Sequence, residues 1–166
     1  LDVLIVDVNE STCKRYYGDK PWTPDSNDPP ICWSANGQGP SRDAPTPQAR
    51  QCIECQWSQR GSAQSKLSGA DIKACRDERW FAVVPLQQPD MIFQFVLTPG
   101  SFKNWKTHAQ KCQSFGIDIT DLVTRLEFEP GKNGVLVFTG VSYVDEAMSK
   151  VQEQAWATNV TDAIVG

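Results

Sequence analysis

Four of the six cysteines, Cys32, Cys52, Cys55 and Cys75, lie in a stretch that has almost nothing else to fold around. Turn formers crowd it: Pro29-Pro30, Asn36-Gly37, Gly39-Pro40, Pro45, Pro47, Gly61-Ser62 and Gly69. Between Asn27 and Ala74 the large aliphatics are only Ile31, Ile53, Leu67 and Ile72. Such a segment buries too little apolar surface to offset the entropy of ordering it. A loop of this length without structure of its own is unusual in a compact domain. A covalent or metal staple is therefore expected.

The spacing favours zinc. Cys52-Ile-Glu-Cys55 is a C-x-x-C pair, with Cys32 about twenty residues before it and Cys75 about twenty after. Four thiolates make a closed, tetrahedral structural site for Zn2+, and such binding contributes about 10–16 kcal/mol in small zinc peptides. Two disulfides among the same four would serve in an oxidising compartment. A redox C-x-x-C is the third alternative, but it should open a helix after a strand. Here Gln51 and Gln56-Trp57-Ser58 flank the pair in polar sequence. Cys13 is a substitute for Cys32 as fourth ligand.

The length of 166 residues suits a single domain, residues 1–166, with the cysteine segment, residues 27–77, as an inserted module. No apolar run is long enough to span a bilayer and no signal-peptide pattern is visible. Asn9-Glu10-Ser11 and Asn159-Val160-Thr161 match the N-glycosylation pattern, which recurs by chance. The net charge of −4 is unevenly spread: residues 11–80 carry ten Lys/Arg against eight Asp/Glu, and the rest is acidic. The cysteine-bearing half is thus the basic half, a mild asymmetry that alone does not establish nucleic-acid binding.

Outside the module the pattern is that of strands. Leu1–Val8 holds the aliphatic run Val3–Val6 between Asp2 and Asp7. Trp80–Pro85 and Met91–Leu97 follow, joined through a short hairpin gap. Thr98-Pro99 starts a helix whose apolar face carries Phe102, Trp105, Ala109 and Cys112, with Gly116 as its stop. Cys112 reads as a core thiol and His108, the one histidine, as a surface or boundary residue. Asp121–Glu129 and Val135–Val144 are two more strands around the turn Pro130–Gly134. Asp145 caps a last amphipathic segment bearing Met148, Val151 and Ala155.

Five strands with a helix between the third and fourth predict a mainly β, OB-fold-like barrel, the cysteine module being an enlarged loop between the first two strands, with another small β-barrel or a mixed α+β sheet as the alternatives. That loop is one an OB-fold uses for oligonucleotides. Aromatics and cations gather around it: Lys14, Arg15, Tyr16, Tyr17, Lys20 and Trp22 before the module, Trp33, Trp57 and Arg60 inside it, and Lys73, Arg76 and Arg79 at its close. Bases stack on aromatic faces while Lys and Arg follow the phosphates. Trp33 and Trp57 adjoin the cysteines and serve equally as shields for the metal.

Tyr16-Tyr17, Pro30-Ile-Cys32-Trp33-Ser34 with Gly37, Pro47-Gln48, Cys52-x-x-Cys55 with Gly61-Ser62, and Lys73-Ala-Cys75-Arg-Asp-x-Arg79 with Ala82-Val-Val84 follow one another in order. This series resembles a family of small zinc-containing bacteriophage proteins that bind single-stranded DNA in replication, over roughly residues 1–145. The resemblance implies a viral protein of the host cytoplasm, with zinc rather than disulfides and single-stranded DNA as partner. A phage adaptor whose module binds another replication protein is the second expectation. An enzyme is disfavoured: four cysteines close the zinc site, and one histidine leaves no triad or histidine pair.

Overall fold

The computed structural model describes residues 1–18, 28–66, 68–158 and 160–165. In chain order the strands are β1 (Asp2–Val8), β2 (Cys13–Tyr16), β3 (Cys32–Ser34), β4 (Ala63–Gln64), β5 (Asp71–Ile72), β6 (Arg76–Pro85), β7 (Phe93–Leu97), β8 (Leu122–Phe128) and β9 (Leu136–Tyr143). The helices are α1 (Phe102–Ser114), α2 (Glu146–Ala157) and α3 (Val160–Val165). Two compact units result, one made of Leu1–Asn9 with Arg79–Gly166 and one of Glu10–Glu78. The inserted unit begins at Glu10, so it takes in residues that cysteine spacing alone leaves outside. Residues 13–15 pair with 76–78, which closes the insertion upon itself.

The first unit is built on β1. Its aliphatic run has no polar alternate, so both faces must be covered. Val3 and Ile5 enter one apolar cluster with Phe81, Val83, Leu97, Trp105, Leu126 and Phe138. Leu4 and Val6 enter another with Ala82, Val84, Val123, Ala155 and Val165. Each fully buried side chain of this kind contributes about 1.5–3 kcal/mol. The antiparallel register with β6 shifts between Ile5 and Asp7, which leaves Val6 as an extra residue on β1. The bulge reverses the alternation, so Val8 pairs with Phe81 and packs on the same cluster as Val3 and Ile5.

Strand β6 flanks β1 on one side and β8 on the other, with β7 outside β6 and β9 outside β8, every pairing antiparallel. The unit is therefore mainly β, as expected, but the expected closed barrel is not formed: among the described residues β7 and β9 share no ladder. A helix closes this face instead. Trp105 of α1 stands edge-on to Phe81 (4.7 Å between centroids) and to Phe138 of β9 (5.3 Å). The opposite face is covered by α2 and α3, which supply Ala155 and Val165.

The helix signals hold with small shifts. Thr98-Pro99 opens a 3-10 turn, Pro99–Ser101, and α1 proper starts at Phe102. Gly116, at φ +68°, ends it: Ile117 N–H donates to the Cys112 carbonyl and Gly116 N–H to that of Gln113, both at 3.0 Å. Asp145 accepts from Met148 N–H at 2.9 Å and caps α2. His108 departs from expectation. It is buried, its ring packed beside both Trp105 and Phe138, and burial holds its pKa below the usual imidazole range, with Lys111 adding to the effect.

Trp105→Ala should cost about 3–5 kcal/mol, because it removes a ring that touches both β6 and β9. Urea denaturation of the two proteins measures this, and a loss below about 1 kcal/mol would place the ring outside the core.

Candidate functional site

In the inserted unit all four cysteines named from the sequence line one small cavity of 10 Å3. Cys32 comes from β3, Cys52 and Cys55 from the turn after it, and Cys75 from the residue before β6. All four are buried and none is in a disulfide. The backbone sets their approach: Cys55 N–H donates to the Cys52 carbonyl (3.3 Å), and Cys75 N–H to the Trp57 carbonyl (2.8 Å). Cys13 is elsewhere, its thiol 3.3 Å from the Ala35 carbonyl oxygen.

The chemistry of the cavity is that of a thiol cluster beside a cation. Burial pushes the Cys75 thiol up to about 11 and raises Cys52 as well, while Ser58 at Cys75, Ser34 at Cys52 and the Lys14 ammonium act to lower them. Ser58 Oγ is buried without a hydrogen-bond partner, and its hydroxyl acts on the Cys75 thiol. A buried hydroxyl donor near sulfur is poorly matched to a neutral thiol and better matched to a metal-bound thiolate. Four buried thiols, an orphaned donor and a nearby ammonium thus fit Zn2+ by donor chemistry. Among the described residues no three His, Cys, Asp or Glu side chains are arranged to hold an ion as they stand, so binding would require the thiols to close upon it.

Around the cavity the aromatic residues form a core of their own. Tyr16 is 3% exposed and stacks on Trp57 at 5.0 Å, with Cys32, Cys75, Ile31 and Ala74 around them. One face of the Tyr16 ring, expected from the sequence as a stacking platform, is thus taken by Trp57. Trp57 is half-buried and donates from Nε1 to Gln48 Oε1 at 3.1 Å. Trp33 is half-buried at the cavity wall, and Tyr17 is exposed. Trp22 and Lys20 lie outside the described residues.

The cations divide in the same way. Lys14 and Lys73 both bind Asp77, at 2.5 and 2.6 Å, and Arg15 lies 3.4 Å from Glu78. Burial acts to raise Asp77, yet the two lysine hydrogen bonds outweigh it and hold its carboxyl below the usual range. Those three cations brace β2 and the start of β6. Arg60 and Arg76 are exposed. Arg79 belongs to the first unit, where its guanidinium donates to the Asn9 carbonyl at 3.3 Å. Sequence reasoning missed Ser34 and Ser58 at the cavity, although each follows a cysteine by two or three residues. It also missed Asp77 as the anchor of two lysines. No known protein family, curated protein or solved structure matches this chain.

Gly37 fixes the loop that carries Ser34 inward. Its N–H donates to Ser34 Oγ at 2.9 Å, its φ is +68°, and an added Cβ would lie 2.2 Å from the Thr12 carbonyl oxygen. Gly61 also has positive φ, +90°, but open space around it. Gly37→Ala should destabilise the inserted unit by about 2 kcal/mol or more, and Gly61→Ala by about 1. Limited proteolysis within residues 10–78 compares them; equal resistance would remove the steric argument.

Proposed function

We propose that this protein binds single-stranded DNA without enzymatic activity and with little sequence preference, in bacteriophage replication or recombination in the host cytoplasm. One zinc ion on Cys32, Cys52, Cys55 and Cys75 holds its inserted unit. The observation that carries the reading is strand order. Counted along the first unit, β1, β6, β7, β8 and β9 are strands one to five, and they lie in the order 3-2-1-4-5 with α1 between three and four. An OB-fold has the same strand order but closes between strands three and five, where this sheet is open. The cysteine unit enters between strands one and two, in the loop position that OB-folds devote to oligonucleotides. Tyr17, Arg60 and Arg76 are exposed residues of this unit that would serve in stacking and phosphate binding.

Zinc supplies structure in this reading. Among the described residues the unit's apolar cluster has only Tyr16, Cys32 and Cys75 as buried members, a thin core for residues 10–78. Four thiolates leave no coordination position open for substrate or water. The purified protein should contain about one zinc per chain. Cys55→Ser should lose it and become sensitive to proteases within residues 10–78, while the β1 clusters stay folded. Metal analysis beside proteolysis tests this; a metal-free protein whose thiols resist alkylation until reduced would carry disulfides instead.

DNA binding is tested by fluorescence anisotropy with labelled oligothymidylate and with duplex of equal length, across a salt series. The single strand should bind more tightly, and log K should fall linearly with log salt. Arg60→Ala or Arg76→Ala should flatten that slope by about 0.7 for each phosphate that is no longer neutralised. No affinity for any single strand at low salt would end the reading.

A further inference from the structure

A groove of 590 Å3 runs along the first unit between α1 and β9. Its floor is Phe138, His108 and Cys112, and its rims carry Phe115, just past the end of α1, and Tyr143, at the end of β9. These two rings are 70% and 66% exposed, and neither has a packing role that explains it. Asn104, Thr107, Thr139 and Ser142 add amide and hydroxyl groups. The lining contains one cation, Lys111, and no carboxylate. The helix that forms one wall carries Lys103, Lys106 and Lys111 and no acid. Glu129, near its start, is occupied by Asn104 at 3.1 Å and Lys132 at 2.6 Å. Along the other wall, β9 is exposed from Thr139 to Tyr143, and among the described residues its outer edge forms no ladder.

We infer that the groove between α1 and β9 is a nucleotide-binding site, seating bases of a single strand against Phe115 and Tyr143 with a phosphate at Lys111. The volume is that of a site for a small organic ligand. Two exposed ring faces ask for planar partners, and the acid-free, lysine-bearing wall asks for an anion; a nucleotide is both. The site rests on the single-strand reading and adds a second binding region to it, in the unit that contains no zinc-ligand candidate. It also supplies exposed stacking platforms, whereas Tyr16 is buried.

The test uses the full-length protein and labelled oligothymidylate. Phe115→Ala and Tyr143→Ala should each weaken binding about tenfold with little change of salt slope. Lys111→Gln should weaken it and lower the slope by about 0.7. Phe128→Ala, equally exposed on β8 but outside the groove, should bind as wild type. Ultraviolet cross-linking should attach thymidine to peptides containing Phe115 or Tyr143. Wild-type binding with unchanged affinity in all three groove variants and no such cross-link would overturn the groove while leaving the single-strand reading intact. No wild-type binding would overturn both. Unchanged DNA affinity with a shift from dimer to monomer in sedimentation would make the groove an interface between copies of the chain.

Discussion

Burial of the Val3–Val6 run on both sides of β1 is the constraint on which the first unit depends. A strand with one wet face can slip in register at modest cost. A strand with two dry faces cannot, because a shift of one residue exchanges its whole set of partners. Val3 and Ile5 meet Phe81 and Trp105, whereas Leu4 and Val6 meet Ala82, Val123 and Ala155. The two sets differ in size: aromatic rings fill one side, and small or branched side chains the other. The register is thus fixed by volume as well as by polarity. The bulge at Val6 extends this to Val8, which reaches the aromatic side because one residue is left out of the ladder. Helices must then lie on both faces, which is why α1 and α2 attach to opposite sides of one open sheet.

Much of this was legible. The run Val3–Val6, the pair Trp80–Pro85 and Met91–Leu97, the stop at Gly116 and the cap at Asp145 each rest on local chemistry, and each element lies within a few residues of its expected place. The barrel was not legible correctly, although the signal was present. Trp80–Val84 and Val3–Val6 have no polar alternates, and a strand lining only one core should have them. Short strands inside the inserted unit were hidden for the opposite reason. Cys13–Tyr16 and Cys32–Ser34 are too brief for a periodicity to emerge, and their partners are distant in sequence. His108 went astray because a neutral imidazole packs against Trp105 and Phe138 as an aromatic, a role that polarity scales conceal.

The inserted unit shows how one composition can serve two ends. Aromatic and basic residues clustered near cysteines look like a binding surface, and they also look like the minimum needed to assemble a thin core. Tyr16 on Trp57 fills the apolar space beside Cys32 and Cys75. Asp77 collects Lys14 and Lys73, and Glu78 takes Arg15. Partly buried pairs of this kind stabilise modestly, but removing Asp77 would leave two ammonium groups without their acceptor. Sequence order shows that such residues are near one another; only the fold shows which of them have already been used.

The residues left over are then the informative ones. Natural proteins usually protect a free sheet edge with charges, prolines or a covering segment. The outer edge of β9 is instead Thr139-Gly-Val-Ser-Tyr143, without a charge, beside a helix rich in lysine and an exposed phenylalanine. An uncharged edge of this composition invites pairing with another strand and is costly to keep in water unless something occupies it. Gly140 is held against Leu122, where an added Cβ would approach within 3.2 Å, so the strand lies close to its inner neighbour while its outer side stays open. The same backbone that makes the edge a hazard makes it a firm wall for a ligand, because pairing with β8 fixes one side of it from Leu136 to Gly140 and again at Ser142 and Tyr143, with Val141 left out of the register. On the proposed single-strand reading, stacked bases would cover this surface during function, and the exposed rings follow from that use rather than from any need of the core.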